Sequence, residues 1–194
     1  YLGELDFAVT IDNLKVVGRD EVEEELIPIE KLKDYLKWRQ KEFIEKYEGV
    51  RYDTENDEYS ILEAELESGN ALIAVVNTDL LQWDTKASHP WILSVEVPYD
   101  GSNNNGMPEE ETYKLLDEFE NNISAELKDF EGYLNIGRQT AKNVREIYFA
   151  CSDFRKPSKI LNKLERNYAR QFEITYDIYK DKYWQSFNRF NPVP

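Results

Sequence analysis

Residues 91–119, "WILSVEVPYDGSNNNGMPEEETYKLLDEF", change their hydrophobic period partway along, and that change decides the fold. Trp91, Leu93, Val95, Val97 and Tyr99 alternate with smaller or polar residues, which is the pattern of a half-buried strand. From Glu109 onward, Leu116, Phe119, Ile123 and Leu127 recur at helical spacing. The loop between them has two readings. Asp100, Ser102, Asn104 and Glu111 stand at positions one, three, five and twelve of a calcium-loop template, with the hard oxygen ligands calcium prefers. Yet Asn105 occupies the position where that template needs its turn glycine, and a strand precedes the loop instead of a helix. The plainer reading is a strand-to-helix handover. Gly101 and Gly106 permit the turn, Pro108 opens the helix, and Glu109 to Glu111 suit a helix N-terminus. We expect a mobile, exposed handover that holds no metal.

Further along, "GYLNIGRQT" and "VREIYFACS" read as two strands joined at Lys142-Asn143. A second helix carries Leu161, Leu164, Tyr168 and Phe172, with Pro157 in its first turn, and "EITYDIYK" is a last strand. The order is βαββαβ, the split-βαβ pattern of ferredoxin-like folds. Upstream, "EYSILEAELESGNALIAVVNTDL" reads either as a helix through Leu66 ending at Ser68-Gly69 or as a hairpin; the alternation of Leu62, Ala64 and Leu66 and the turn pair Gly69-Asn70 favour the hairpin. The first strand of a βαββαβ unit already has two neighbours, so this extra hairpin must join an edge or the topology must differ. The expected class is α+β: an antiparallel-rich sheet with two covering helices, a ferredoxin-like core and an extra N-terminal hairpin. The aromatic tail "YWQSFNRFNPVP" should pack back on the body.

Residues 1–56 read as an acidic hairpin-helix extension to an α+β domain over 57–194. In it, Leu5, Phe7, Val9 and Ile11 alternate, turn at Asp12-Asn13, and continue as Leu14, Val16 and Val17. Then Ile29, Leu32, Leu36, Phe43 and Tyr47 mark an amphipathic helix, with Pro28 at its start and Gly49 past its end. Through Gly69 the chain has 20 acidic and 9 basic residues, so most of the formal net charge of -15 lies in the first third.

That charge repels phosphate and anionic lipid, which argues against nucleic-acid and membrane partners and for a basic protein partner. No apolar run approaches the roughly 20 residues of a membrane helix. Cys151 is the only cysteine, so neither an intramolecular disulfide nor a multi-cysteine zinc site can form; in a strand it reads as a small buried hydrophobe. His89 is the only histidine. The cytoplasm is the expected compartment.

The segments "AELESGNALIAVVNTDL", "HPWILSVEVPY", the Gly-Met-Pro followed by Glu at 106–111, "IGRQTAKNVREIYFACSD", and Asp181 with Trp184 downstream resemble the bacterial domain of unknown function 695 over about 59–187. The resemblance implies fold and context, with no catalytic residues established. Some members are joined to a domain similar to the ribonuclease E regulator B, an acidic protein that binds and restrains a nuclease, and this agrees in sign with the charge argument.

Candidate sites are few. His89, between Ser88 and Pro90, suits a base or a backbone hydrogen bond. Arg138, Thr140 and Arg145 could receive a carboxylate or phosphate, or pair with the surplus of Glu. Glu23, Glu24, Glu25, Asp53 and Asp57, with the aromatic region around Trp184 and Phe187, are candidates for partner binding. No P-loop, Rossmann fingerprint, zinc signature or kinase motif is present, and no catalytic residue, metal or cofactor is assigned. The expectation is a non-catalytic protein-binding or regulatory module with an acidic surface. The alternative is a hydrolase-like or small-molecule-binding enzyme using His89 or the Arg138 and Arg145 region.

Overall fold

The computed structural model describes residues 26–191 and, ahead of them, 3, 7, 10–12, 15 and 17–22. The chain forms two compact units, Tyr1–Val50 and Arg51–Pro194.

In the first unit, helix α1 (Leu32–Tyr47) follows a 3-10 turn at Ile29–Lys31, with Pro28 at the N-cap. Gly49, just past the end, takes φ +75, a left-handed conformation that glycine adopts without a Cβ penalty. No residue of α1 is fully buried; Leu36, Phe43 and Tyr47 are half-buried, while Leu32, Tyr35, Trp38 and Ile44 are exposed. The hairpin expected ahead of α1 needs correcting where it can be seen. Gly3, Phe7 and Thr10 are helical, and the Ile11 N–H donates to the Phe7 carbonyl at 3.1 Å. Residues four apart share a side in both a strand and a helix, so Phe7 and Ile11 fit either period. Leu5, Val9, Asn13, Leu14 and Val16 lie outside the described residues.

The second unit is built on one six-stranded antiparallel sheet: β1 (Tyr59–Glu65), β2 (Ala71–Asn77), β3 (Trp91–Pro98), β4 (Tyr133–Ala141), β5 (Val144–Cys151) and β6 (Thr175–Lys180), in the order β1-β2-β4-β5-β3-β6. A short helix, α2 (Thr78–Leu81), follows β2, capped by the Asn77 side chain accepting from the Leu80 N–H. Helix α3 (Glu110–Glu126) links β3 to β4, and α4 (Arg155–Tyr168) links β5 to β6. From β3 on, each helix connects two parallel strands with an antiparallel strand between them, the strand order of a split βαβ pair. The β1–β2 hairpin adds to the β4 edge, which leaves β3 with its two neighbours. The fold class is α+β.

Lys142 and Asn143 at the β4–β5 turn have φ 50 and 66, the left-handed pair that a two-residue hairpin turn requires. On one face of the sheet, α3 and α4 lie side by side: the rings of Phe119 and Tyr168 meet edge-on at 5.1 Å, and Asn122 Nδ2 donates to the Tyr168 hydroxyl at 2.6 Å. Leu116, Phe119, Ile123 and Leu161 are fully enclosed there, each contributing roughly 1.5–3 kcal/mol by burial.

The opposite face is covered by the tail. Trp184, Phe187 and Phe190 pack against Ile92, Leu134, Ile136, Tyr148 and Ala150. Strand β3 is therefore buried on both faces over its first half, not half-buried as its alternation suggests.

Candidate functional site

The sheet brings Arg138, Thr140 and Arg145 together and keeps His89 away from them. His89 precedes Trp91 at one end of β3, while Arg145 pairs with Val97 at the other, six residues or about 20 Å along the strand.

Strands β4 and β5 change register between Asn135 and Gly137, so Ile136 is an extra residue in its strand. Beyond this bulge the side-chain parity of β4 reverses. Tyr133 and Asn135 face the helices before it, and Arg138 and Thr140 face them after it, opposite Ile147 and Arg145. Gly137 has φ +138, and a Cβ there would lie 2.2 Å from the Val75 carbonyl oxygen on β2.

The arginines already hold carboxylates. Arg145, 1% exposed, donates from Nη1 to Asp117 Oδ1 at 2.6 Å and from Nε to Thr140 Oγ1 at 3.4 Å, and its guanidinium sits 4.7 Å over the Tyr113 ring. Arg138 donates to Glu120 Oε2 at 3.2 Å and to the Tyr113 hydroxyl at 3.3 Å. Burial is the largest single influence on Arg138 and opposes its charge, but Glu120, Tyr113 and Asp117 together outweigh it and hold the guanidinium pKa above its usual value. The two arginines, with Tyr113 and Thr140, rim a cleft of about 150 Å³ whose apolar wall is Ile73, Val75, Met107 and Pro108. This is the internal pairing that the excess of Glu allows, with a narrow opening left beside it.

At the other end, His89 is 3% exposed and packed against Trp83 at 5.3 Å between ring centres. Ser88 Oγ donates to the Thr85 carbonyl at 2.7 Å and lies 2.8 Å from His89 Nδ1. A serine proton spent on Thr85 leaves Nδ1–H as the donor in the pair, which does not activate the serine as a nucleophile. Nε2 is then a bare acceptor, buried without a hydrogen-bond partner among the described residues. Burial, and after it the charge of Arg51, lower the imidazole pKa to about 4. The His89 carbonyl accepts the indole N–H of Trp184 at 2.9 Å.

Trp184 is 2% exposed and Phe187 1%, so both are core residues and not a surface for a partner, because the tail covers a sheet face that would otherwise be wet. Asp181 explains the Asp-to-Trp spacing: its carboxylate accepts from Gln185 N, Ser186 N and Ser186 Oγ, capping the 3-10 segment Gln185–Phe190. Asp57 is half-buried and engaged within the fold, accepting from the Tyr52 hydroxyl at 3.0 Å and Asn77 Nδ2 at 2.6 Å. Asp53 accepts from Glu55 N at 2.9 Å beside an open cleft of about 470 Å³. Glu23, Glu24 and Glu25 lie outside the described residues.

The handover loop is laced in place, not loose. The Gly106 carbonyl accepts from Asn143 N at 2.9 Å and from the Tyr99 hydroxyl at 2.8 Å, and Asn70 Nδ2 reaches Asn105. It is thereby tied to both hairpin turns. Asp100 is engaged by Ser102 N and Oγ, and among the described residues no group of three His, Cys, Asp or Glu is placed to hold a metal ion. Cys151 is fully buried, and burial drives its thiol pKa far above the usual range. No helix of the described residues is long and apolar enough to cross a membrane.

Sequence reasoning missed the open face of the β1–β2 hairpin. Helices α3 and α4 cover β4, β5, β3 and β6 and stop short of β1, where Tyr59 is 49% and Ile61 66% exposed. The available signal was the count of two helices against six strands.

The architecture defines an α+β protein with a six-stranded antiparallel sheet, one helical face and one face closed by its own tail. Residues 58–190 match the family of unknown function DUF695, and the chain belongs to that family. No curated protein matches it. No solved structure matches it either.

Proposed function

We propose that the chain is a non-catalytic protein-binding or regulatory module that offers an acidic surface to a basic partner in the cytoplasm. The observation that carries this reading is the open end of the sheet. Tyr59 and Ile61 stand on a face that α3 and α4 do not cover, on a strand with one sheet neighbour, among Glu58, Glu63, Glu65 and Glu67. Exposed apolar groups rimmed by charge mark interaction sites, and an acidic rim steers a basic partner toward them. The alternative enzyme has less support. His89 lines none of the clefts described above, and both arginines of the other cluster are neutralised from within.

The test is photo-crosslinking in cells, with a benzophenone residue at position 61 and, as control, at exposed Lys159 on α4. A discrete adduct at 61 that is absent at 159, whose protein component then binds the purified chain, supports the reading. Neutralising Glu23, Glu24, Glu25 and Asp53 should slow that association several-fold and flatten its salt dependence, leaving dissociation nearly unchanged. Identical adduct patterns at the two positions would remove the reading.

A further inference from the structure

The uncovered end of the sheet is more than an apolar patch, because α3 turns it into a groove. One side of α3 carries Tyr113, Asp117, Glu120 and Ser124, spaced by three or four residues so that they form a single wall. Tyr113 opens the cleft with Arg138 and Arg145 at one end. Ser124 lines a second cleft, of about 310 Å³, with Tyr59 and Asn135 at the other. From Tyr113 to Ser124 the wall runs roughly 16 Å at 1.5 Å per residue, about three helical turns. The floor is the helix-side face of β1 and β2, where Ile61 pairs with Val75 and Glu63 with Ile73.

The dimensions suit one kind of element. Two strands are together about 10 Å wide, close to the diameter of one helix. On this face α3 already reaches β4 and β5 through Arg138 and Arg145, and α4 reaches β6 where Ser158 meets Tyr176. The place beside α3 is one helix wide. Charge narrows the choice further. Asp117 and Glu120 are matched by Arg145 and Arg138, whereas Glu63 and Glu65, on the same side of β1 as Ile61, have no ion pair among the described residues. The wall is therefore neutral and the outer rim acidic. A self-complementary contact would set those glutamates of two molecules, each of net charge -15, near one another.

We infer that the groove between α3 and the β1–β2 hairpin seats an amphipathic, positively charged helix of a partner protein, its apolar stripe on Ile61, Ile73 and Val75 and its basic flank toward Glu63 and Glu65. This rests on the protein-binding reading and gives it a mode, the helix-in-groove type.

The test uses the full chain and two synthetic 14-residue peptides of identical Leu and Lys content, one patterned for a helix and one strictly alternating. Isoleucine methyl NMR should show Ile61 and Ile73 moving on titration with the helical peptide. Ile61→Glu, an exposed substitution, should weaken that binding at least tenfold, and the alternating isomer should bind at least tenfold more weakly. If the alternating isomer binds as well, with new amide protection on β1, the partner adds a strand to the edge and the helix proposal falls. Sedimentation showing a dimer broken by Ile61→Glu makes the occupant a second copy and overturns it too. Peptide shifts confined to other surfaces, or no binding, remove the groove altogether. In each of these cases the crosslinking result still decides the protein-binding reading separately.

Discussion

Acidification should weaken this fold through His89 in particular. Its imidazole is buried, with Nε2 unpartnered and the pKa lowered to about 4, against about 6.5 in an unfolded chain. Between these values the unfolded state binds a proton that the folded state refuses, so stability rises with pH across the window and is lost as pH falls through it. Above about pH 6.5 both states are neutral and His89 contributes no pH dependence. At pH 5 the difference in proton binding amounts to about 2 kcal/mol, and well below pH 4 it approaches about 3 kcal/mol. The assay is urea unfolding at pH 7.5 and pH 5.0 of the native chain and of His89→Gln, which cannot titrate. Carboxylates and the easing of net negative charge act alike in both proteins and cancel in the comparison. The native chain should lose about 2 kcal/mol more than the variant on going to pH 5. Because the chain has one histidine, its ring Cε1 proton is assigned by being alone and reads the titration directly, even if the variant folds poorly. Equal losses in the two proteins, or a ring that titrates near pH 6.5 in the folded state, would refute the reasoning.

Gly137→Ala places a Cβ against the Val75 carbonyl and keeps φ at a value L side chains rarely adopt; it should cost on the order of 3 kcal/mol in chemical unfolding, and a loss below about 0.5 kcal/mol would show that the bulge relaxes. Cys151 should stay silent to a thiol-reactive disulfide in the native state and react fully in 6 M guanidinium, about the usual unfolding concentration; rapid labelling of the folded chain would contradict its burial.

Much of the fold was legible because local chemistry and tertiary packing agree. The alternation of β3, the apolar stripes of α3 and α4, Gly69 at the β1–β2 turn and Lys142-Asn143 at the next each name an element from its own residues. Where one residue pair satisfies two periods, as Phe7 and Ile11 do, the sequence leaves the choice open, and here Phe7 and Thr10 are helical. The candidate site was legible only in part. Arg138, Thr140 and Arg145 could be grouped by alternation and by the short turn between their strands, but their carboxylate partners come from α3, 18 to 28 residues away.

Burial of the second sheet face could not be read from β3, because the covering Trp184 and Phe187 lie some ninety residues further on. The bulge marks the boundary most sharply. Gly137 inside a strand pattern hints at a bulge or a close approach, yet nothing local says which residue is extra. That depends on β5 pairing Tyr148 with Gly137 and Phe149 with Asn135, and on β2 crowding the glycine from the other side. With side chains alternating at a period of two, one inserted residue moves all that follow to the other face. A contact between strands distant in sequence thus decides that Arg138 and Thr140 look toward the helices, into the groove, and not toward the tail.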